Sequence, residues 1–442
     1  GNTRTTTRSI VTIDKEAPTF TVSGNPATWT GSDVTLSISA TDMPASGCSG
    51  LHAQAYSFDG GVTWQADTSK TFSENGTYTL MVRDSVGNVS KGQDITIRYI
   101  DKTPPAAHVE GVPTAWQNTD AIIHIIASDL PNQGSGLDAK PYSWDNGLTW
   151  TNSSSLTVSQ NQSLRIKVRD AVGNILTHPV TEITFLDKEP PEDFTVSASP
   201  TAWTAGSVTL TVSGASDKIS GLADLPYYWT AANVDYGPTS DASYEVTENG
   251  DVIVSITDKA GNVRSKKVSV TNIDKTAPSD LAIVGDTATW TNQPVTVSAT
   301  AKDTQSGVTE FSWNNGLTWQ TDSTITFNEN TEGILLAKDA VGNISEPFQY
   351  TITCVDKEAP ELTVVFSAAS SDFKEVITQL YGTDTGGSEV KDFCWDYDKA
   401  DGTGEWTSAS IKALTSGVTV TVAVRDHAGN VSLKDVTPKA YE

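Results

Sequence analysis

The chain has 442 residues, of which 54 are acidic and 29 basic, giving a formal net charge of −25 at pH 7. This length exceeds that of one ordinary domain, and the charge excludes nucleic acid as a favourable partner because its phosphates would be repelled. The excess of carboxylates suits a soluble surface protein, and it also suits the binding of hard cations such as Ca²⁺.

A repeated pattern follows a Thr-rich lead-in. An opening signature, Asp-Lys-x-x-Pro, starts at Asp14, Asp101, Asp187, Asp274 and Asp356. A closing signature, Asp-x-x-Gly-Asn, starts at Asp84, Asp170, Asp258, Asp339 and Asp426. Their strict alternation predicts five tandem repeats of about 86 residues. The predicted divisions are the lead-in (1–13), repeat 1 (14–100), repeat 2 (101–186), repeat 3 (187–273), repeat 4 (274–355) and a divergent repeat 5 (356–442).

Short β-strands fill the space between the two signatures. Residues 34–40 of repeat 1 alternate apolar and polar side chains with period two, which predicts a half-buried strand. Residues 77–82 predict a later strand that runs into Asp84, and residues 95–99 predict the last strand. Thr, Ser and Val are plentiful and there are only two Met, which also favours β-structure over helix.

An Asn-Gly pair marks a hairpin in repeats 2 and 4. In repeat 2 the pair Asn146-Gly147 lies between the runs 142–144 and 148–150, and in repeat 4 Asn315-Gly316 lies in the same setting. Such a pair predicts a tight turn between two strands, because Gly accepts the positive φ that the turn requires.

The strand count indicates the fold class. About seven strands in about 86 residues, without a helical segment, are typical of an immunoglobulin-type sandwich. We therefore predict an all-β protein of five tandem immunoglobulin-like β-sandwich modules arranged as an elongated array. One aromatic residue on the third strand of each repeat is expected in the core: Phe58, Trp144, Trp229, Trp313 and Trp395.

The three cysteines, Cys48, Cys354 and Cys394, occupy different repeat positions. This excludes a repeated disulfide framework and predicts free or buried thiols. No apolar run reaches the length of a membrane span, so we expect no membrane insertion of this segment. We interpret the chain as a monomeric segment cut from a longer protein.

Several motifs together resemble the bacterial Ig-like repeats of large cell-surface and adhesin proteins. They are best seen in repeat 4, as Asp-Lys-Thr-Ala-Pro at 274–278, Trp-Thr-Asn at 290–292, Ser-Gly-Val at 306–308, Phe-Ser-Trp at 311–313 and Asp-Ala-Val-Gly-Asn at 339–343. The resemblance covers residues 13 to 442. It implies an extracellular, cell-surface stalk, anchored in the wall or envelope by the full-length protein. It also implies that a host surface protein or glycan is the eventual partner, and that Ca²⁺ binds between modules in some members.

Two repeats depart from the pattern. Repeat 3 has Ala231 to Tyr236 in place of the Asn-Gly hairpin. Repeat 5 lacks the Trp-Thr segment and the Ser-Gly pair, and carries an acidic insert from Asp396 to Glu405. These departures indicate that the five copies need not all do the same work.

Catalysis is not expected. The five histidines fall at unrelated repeat positions, and the sequence has no nucleophile elbow, zinc-protease motif, phosphate loop or zinc spacing. A Lys-Asn isopeptide bond between a linker lysine and a closing asparagine is a further possibility, although both residues adjoin Pro or Gly turns rather than a predicted core.

Three carboxylates per repeat are expected to meet at the seam with the preceding repeat. In an immunoglobulin sandwich the loop after the second strand and the loop after the sixth lie at the N-terminal end, where the linker Asp also enters. Repeat 1 has Asp14, Asp42 and Asp84 at these positions. The corresponding predicted Ca²⁺ ligands of the later repeats are Asp101, Asp129 and Asp170; Asp187, Asp217 and Asp258; Asp274, Asp303 and Asp339; and Asp356, Asp384 and Asp426.

The preceding repeat offers a fourth carboxylate, from Glu74, Glu248 or Glu329, in a Glu-Asn loop before the sixth strand. Ca²⁺ takes six to eight oxygen ligands, so such additions are expected. The alternative is that each Asp only caps a turn through its side chain, with Gly or Asn in the left-handed position.

Tryptophan provides an alternative function. Twelve Trp is many for an all-β chain of this size, and exposed aromatic rings stack on flat ligands. The alternative to a stalk is therefore a carbohydrate-binding array, with Trp116, Trp150, Trp290 and Trp319 as the ligand-binding residues. It requires these rings to be exposed.

Overall fold

The computed structural model describes residues 1–7, 13–43, 47–129, 134–369 and 371–440. Within these ranges the regular structure consists of β-strands, paired antiparallel in two- to four-stranded sheets. The predicted all-β class is confirmed. None of the described residues forms a helix that is long and apolar enough to cross a membrane.

Repeat 1 illustrates how the sequence pattern becomes a sandwich. Along β2 the side chains of Val34, Leu36 and Ile38 are buried and those between them face outward, as the period-two pattern predicts. The two sheets have the strand orders β1-β2-β4 and β3-β5-β6. The strands are β1 (Thr19–Ser23), β2 (Val34–Thr41), β3 (Leu51–Ser57), β4 (Ser69–Phe72), β5 (Gly76–Asp84) and β6 (Gln93–Ile97).

Repeats 2 and 4 follow the same plan, and the last two strands of repeat 2 are each interrupted. The sheets of repeat 2 are β7-β8-β10, β9-β12-β13 and β11-β14; those of repeat 4 are β22-β23-β25 and β24-β26-β27. The strands of repeat 2 are β7 (Ala106–Glu110), β8 (Ala121–Ser128), β9 (Leu137–Ser143), β10 (Ser155–Val158), β11 (Gln162–Leu164), β12 (Lys167–Asp170), β13 (Ile175–Thr177) and β14 (Thr181–Ile183). Those of repeat 4 are β22 (Ser279–Val284), β23 (Val295–Lys302), β24 (Val308–Ser312), β25 (Thr324–Phe327), β26 (Thr331–Asp339) and β27 (Phe348–Ile352).

Repeats 3 and 5 add an edge strand to the second sheet. The orders are β15-β16-β19 and β18-β17-β20-β21 in repeat 3, and β28-β29-β32 and β31-β30-β33-β34 in repeat 5. The strands of repeat 3 are β15 (Thr195–Ser199), β16 (Val208–Ser213), β17 (Leu222–Ala231), β18 (Val234–Thr239), β19 (Ser243–Val246), β20 (Gly250–Asp258) and β21 (Val263–Val270). Those of repeat 5 are β28 (Glu361–Ala369), β29 (Glu375–Thr383), β30 (Val390–Cys394), β31 (Trp406–Thr407), β32 (Ile411–Thr415), β33 (Val420–Asp426) and β34 (Val431–Val436).

Each sequence repeat contains its own cluster of buried apolar side chains. The expected core aromatics Phe58, Trp229, Trp313 and Trp395 are buried in four of the repeats, and Trp144 packs half-buried against the core of repeat 2. Each buried aromatic or large aliphatic side chain stabilises its repeat by about 1.5–3 kcal/mol. We propose, on this basis, that each repeat folds as one domain within the predicted boundaries.

The Asn-Gly turns have the expected backbone. Asn146 and Gly147 have φ values of 64° and 89°, and Asn315 and Gly316 have 56° and 83°. Tyr142 and Thr151 exchange two backbone hydrogen bonds across the turn, but Leu148 is 85% exposed and residues 148–150 form no strand. The hairpin of repeat 2 therefore closes on the single bridge between Tyr142 and Thr151.

A carboxylate holds this turn together and makes it sensitive to acid. Hydrogen bonds from the Thr149 hydroxyl and backbone N–H, with a further bond from Ser143, lower the pKa of Asp145 to about 2. A lowered pKa stabilises the fold above pH 3.8, and that contribution is lost as the pH falls from 3.8 towards 2.

We expect Asp145→Asn to remove this acid dependence while leaving the turn intact at neutral pH. Asn314 already holds the matching turn of repeat 4 with its side-chain oxygen and amide. Amide hydrogen exchange at Gly147 and Thr149, measured at pH 6 and pH 2.5 and corrected for intrinsic rates, checks this. The turn of repeat 4 is the internal control, and equal acid sensitivity in the variant and the original chain would contradict the prediction.

Candidate metal centres

Three aspartates meet at one end of each repeat. In each group one carboxylate oxygen per residue can be chosen so that all three lie within 4.8 Å of one another. The groups, which we call triads 1 to 5, are Asp14, Asp42 and Asp84; Asp101, Asp129 and Asp170; Asp187, Asp217 and Asp258; Asp274, Asp303 and Asp339; and Asp356, Asp384 and Asp426. The structure thus brings together the three Asp positions that the sequence singled out in every repeat.

The first member of triads 2 to 5 is a linker Asp that is tied to two repeats. In triad 2, the backbone N–H of Asp101 donates to the Thr30 carbonyl of repeat 1 at 2.9 Å. Its two carboxylate oxygens accept hydrogen bonds from the backbone N–H groups of Thr103 at 3.1 Å and Ser135 at 2.7 Å, both in repeat 2. The Asp101 backbone is therefore bonded to repeat 1, while its carboxylate is bonded to repeat 2.

The second member follows the second strand of the repeat. Asp129 comes directly after β8, and its Oδ2 accepts a hydrogen bond from the Gly136 N–H at 2.7 Å. Gly136 has a φ of 80°, a conformation that favours glycine. The corresponding glycines of repeats 1, 3 and 4, namely Gly50, Gly221 and Gly307, also have positive φ values.

Repeat 5 has Glu389 at this glycine position, with a φ of 61°. We expect Glu389→Gly to stabilise repeat 5 by about 1 kcal/mol, because it relieves a left-handed conformation in a residue that has a Cβ. Slower amide exchange in β30 and β33 of the full chain is the measurement. Gly307→Ala is the reciprocal control: its Cβ would meet nothing within 4 Å, so only backbone strain should destabilise repeat 4. No change in repeat 5 would count against the prediction.

The third member ends the strand before the closing signature. Asp170 Oδ1 accepts three backbone hydrogen bonds, from Val172, Gly173 and Asn174, at 3.0, 2.7 and 2.7 Å. Its Oδ2 accepts from the side-chain amide of Asn174 at 2.6 Å, and that amide also donates to the Asp101 carbonyl at 3.0 Å. Turn-capping, the alternative to metal binding, is therefore present in the structure. It places three hydrogen bonds on Oδ1 and one on Oδ2.

The surroundings of Asp84, the third member of triad 1, lower its pKa and so favour the ionised carboxylate. Burial, the largest single effect on the pKa of Asp84, raises it, but hydrogen bonds from the Asn88 side chain and from the backbone of Asn88, Gly87 and Val86 together lower it. An ionised carboxylate with a free lone pair is a ligand that Ca²⁺ prefers.

Some oxygens of the triads lack any partner in the described part of the chain. Asp42 is only 8% exposed and its Oδ1 is buried without a hydrogen bond, as is Oδ2 of Asp303. Ion pairs between described residues all lie outside the triads. Buried carboxylate oxygens without a donor or a cation are costly, so these atoms fit a metal ion.

The donor set suits calcium. It consists of carboxylate oxygens, and Ca²⁺ binds oxygen at 2.3–2.6 Å, so two ligands on opposite sides of one ion lie about 4.8 Å apart. The spread of the triad oxygens is within that limit. Other oxygen atoms, from backbone or water, would complete the six to eight positions.

Glycines beside the triads permit the close approach of these carboxylates. A Cβ on Gly386 would lie 2.0 Å from Asp356 Oδ1, and a Cβ on Gly134 would lie 2.5 Å from Asp129 Oδ2. Only glycine fits at such a distance without displacing the carboxylate.

The predicted fourth ligands lie outside the groups found among the described residues. Glu74 lines a cleft of about 560 Å³ that also includes Asp101, while Glu248 and Glu329 occupy the same loop position in repeats 3 and 4. In each case the next residue, an Asn, contacts the linker instead. The role of the three glutamates in cation binding stays a prediction.

The tryptophans of the alternative function have partners within the chain. Trp116 packs edge-on against Phe185, with 5.5 Å between ring centroids. The Arg169 guanidinium lies 4.4 Å from the Trp150 ring, and Lys338 lies 4.5 Å from Trp319. All four rings, including Trp290, are half-buried, and a Cβ on Gly387 of repeat 5 would lie 3.4 Å from Trp290. This environment does not favour four free stacking platforms.

The remaining sequence expectations concern lysine and cysteine. The linker residues Lys102 and Lys188 pair with Asp33 and Asp120. The closing asparagines donate to Asp carboxylates, as Asn174 does to Asp170. The three cysteines are free, as predicted, and Cys354 and Cys394 are buried.

Fold and site together define a tandem-repeat β-sandwich chain with a carboxylate triad in each repeat. No protein-family profile matches the sequence, and no curated protein does.

Among solved structures, the chain is similar to a Ca²⁺-stabilised adhesin with which an Antarctic bacterium binds ice, at 17% identity over 76% of this chain and 99% of that one, with a TM-score of 0.29. It is also similar to a tetra-tandem repeat from the extending region of a large adhesion protein, at 16% identity over 96% and 99%, with a TM-score of 0.24. A 1.5-MDa bacterial ice-binding adhesin matches at 17% identity over 58% and 100%, with a TM-score of 0.32. These likenesses concern the fold alone.

Proposed function

We propose that this chain is a non-catalytic extending segment of a bacterial surface protein, which spaces a binding domain from the cell. The observation that carries the proposal is the fivefold recurrence of one site, built at the point where each linker enters its repeat. A repeated site of this kind serves the joints of an array, whereas catalysis needs a single constellation of unlike groups.

Calcium at the triads would stiffen these joints. Three carboxylates within 4.8 Å of one another repel when no cation lies between them. One member of triads 2 to 5 is a linker Asp whose N–H is bonded to the preceding repeat, so a bound ion would couple the loops of one repeat to the backbone held by the other. Proline in every linker further restricts the backbone, which favours an extended, semi-rigid arrangement.

The net charge of −25 is compatible with an extracellular location in which millimolar Ca²⁺ is present. A host surface protein or a glycan would then be contacted by other parts of the full-length protein, while this segment sets the distance.

Small-angle X-ray scattering of the full chain, with millimolar Ca²⁺ and with EDTA, tests the proposal. We expect a long, well-defined maximum dimension with Ca²⁺ and a broader, shorter distance distribution with EDTA. A compact particle under both conditions would exclude an extending role. An extended, unchanged particle would retain the role of a stalk but remove that of calcium.

A further inference from the structure

The backbone just before the linker Asp of repeats 2 to 5 is held by an asparagine of the preceding repeat, from the loop before the strand that ends at the third triad Asp. In repeat 1, Asn75 Oδ1 accepts the Ile100 N–H at 2.8 Å, while Asn75 Nδ2 donates to the Ile100 carbonyl at 2.7 Å. The side chain therefore pairs with both backbone groups of one residue, as a neighbouring strand would.

The same two-bond contact recurs at the second and third junctions, and half of it at the fourth. Asn161 makes both bonds to Leu186, at 2.9 and 3.0 Å, and Asn249 makes both to Ile273, at 2.8 and 2.6 Å. At the fourth junction the Val355 N–H donates to Asn330 Oδ1 at 2.8 Å. These asparagines lie about 25 residues before the residue that they hold, so the contact is a built feature of the fold rather than a local turn.

The residue that the asparagine holds is fixed from two further directions. Its side chain is buried in the core of its own repeat, with Leu186 only 3% and Ile273 only 3% exposed. Its other edge forms a parallel bridge with the Trp-Thr or Trp-Gln segment, which is the pair of residues just before the second strand of the repeat. The bridges join Thr30 to Ile100, Gln117 to Leu186, Thr204 to Ile273 and Thr291 to Val355. The next residue is the linker Asp, whose N–H donates to the same segment, as Asp187 does to the Gln117 carbonyl at 3.0 Å.

We infer that Asn75, Asn161, Asn249 and Asn330 are positioning residues that set the direction in which the chain leaves each repeat, and thereby place the linker Asp in the triad of the next. The inference rests on the proposed extending function. These hydrogen bonds involve no carboxylate and no cation. They therefore restrain the joint independently of calcium.

The chemistry requires a primary amide. Asn offers a donor and an acceptor in one plane at a fixed separation, whereas Asp keeps only the acceptor and Ala has neither. Repeat 5 shows a reduced form of this contact: Ser416 Oγ accepts a hydrogen bond from the Ala440 N–H at 3.1 Å.

Limited trypsin digestion of the full chain tests the inference, because every linker contains an exposed lysine next to its Asp: Lys102, Lys188, Lys275 and Lys357. We expect Asn161→Ala, with Ca²⁺ present, to raise the cleavage rate at Lys188 about tenfold. A tenfold rise corresponds to a free energy of junction opening that is about 1.4 kcal/mol lower. Cleavage at the other three linkers should not change. Asn161→Asp should give an intermediate rate, and Gln160→Ala, an exposed neighbour, should give the original rate.

Cleavage inside repeat 2 distinguishes positioning from general destabilisation. Arg165 lies in the bridge to Asp145 and Lys167 begins β12, so trypsin can cleave there only when this part of repeat 2 unfolds locally. An unchanged rate at Lys188, or a rise at Lys188 matched by an equal rise at Arg165 and Lys167, would overturn the inference.

The digestion also separates this inference from the calcium proposal. If EDTA leaves all linkers protected but Asn161→Ala exposes Lys188, the positioning role of Asn161 stands and the calcium proposal fails. If EDTA exposes all linkers but Asn161→Ala has no effect with Ca²⁺, the calcium proposal stands and the positioning role fails.

Discussion

Replacing Asp170 with alanine should destabilise repeat 2 by about 3 kcal/mol or more, whether or not calcium is present. The side chain is fully buried, and its Oδ1 is the acceptor for three backbone N–H groups of the closing turn. Removing it deletes these hydrogen bonds to a charged group, which typically contribute about 1.5–3 kcal/mol each when buried and less where water can replace the acceptor. It also frees the Asn174 amide that joins the turn to the linker carbonyl.

Amide exchange in β8 and β12 of the full chain measures this loss directly, because neighbouring repeats can unfold separately and a single melting curve would mix them. Asp120→Ala is the matched control in the same repeat, since that carboxylate pairs with Lys188 on the exposed surface and should contribute about 1 kcal/mol or less. A similar small effect for both variants would show that Asp170 does not hold the turn.

Calcium binding should raise the melting temperature of the full chain. We expect the chain to melt about 10–20 °C higher in millimolar Ca²⁺ than in EDTA. A ligand at 100 times its Kd stabilises the folded state by about 2.7 kcal/mol per site, and 1 kcal/mol corresponds to about 4–8 °C for a domain of 60–100 residues. Mg²⁺ at equal ionic strength should give a smaller rise, because it loses its water less readily and demands octahedral geometry.

Asp303→Asn separates cation binding from turn-capping. Asp303 Oδ1 accepts the N–H groups of Gln305 and Gly307 at 2.7 and 3.1 Å, an acceptor role that an asparagine oxygen can retain. The other oxygen, which is buried without a partner, becomes an amide nitrogen and can no longer bind a cation. We expect repeat 4 to remain folded in EDTA but to lose its calcium response, as followed by exchange in β23 and β26. A full response in the variant would assign triad 4 to turn-capping alone.

The sequence predicted the fold well because its signals are local and periodic. The alternation along residues 34–40 and the Asn-Gly turns specify strands and hairpins without reference to distant residues. The convergence of the linker Asp with Asp129 and Asp170 also followed from sequence, since the position of two loops in a sandwich is a property of the fold class.

What the sequence missed depends on side-chain geometry over long separations. The sequence pattern singled out the glutamates of the Glu-Asn loop as ligands. In the structure it is the asparagines of this loop, Asn75 and Asn161, that bond the residue before the linker Asp. A repeated Asn before the sixth strand, present even where Gln160 replaces the glutamate, was the available signal. Likewise residues 148–150 were expected to form a strand, but no strand forms there and Leu148 stays exposed.

On the proposed function, the asparagine contact and the triad act on the two sides of one joint. The asparagine and the Trp-Gln segment fix the outgoing backbone on the first repeat, as they do around Leu186. A cation bound at the triad would fix the same backbone on the second repeat through the linker Asp. Loss of either contact would then weaken the joint.

Isothermal titration calorimetry of the metal-free full chain with Ca²⁺ decides whether the triads bind calcium. We predict about five specific sites per chain, one per triad, with Asp303→Asn and Asp42→Asn each reducing the number by one. Heats that show no saturable binding, or a stoichiometry that the two variants leave unchanged, would contradict the assignment of calcium to the triads.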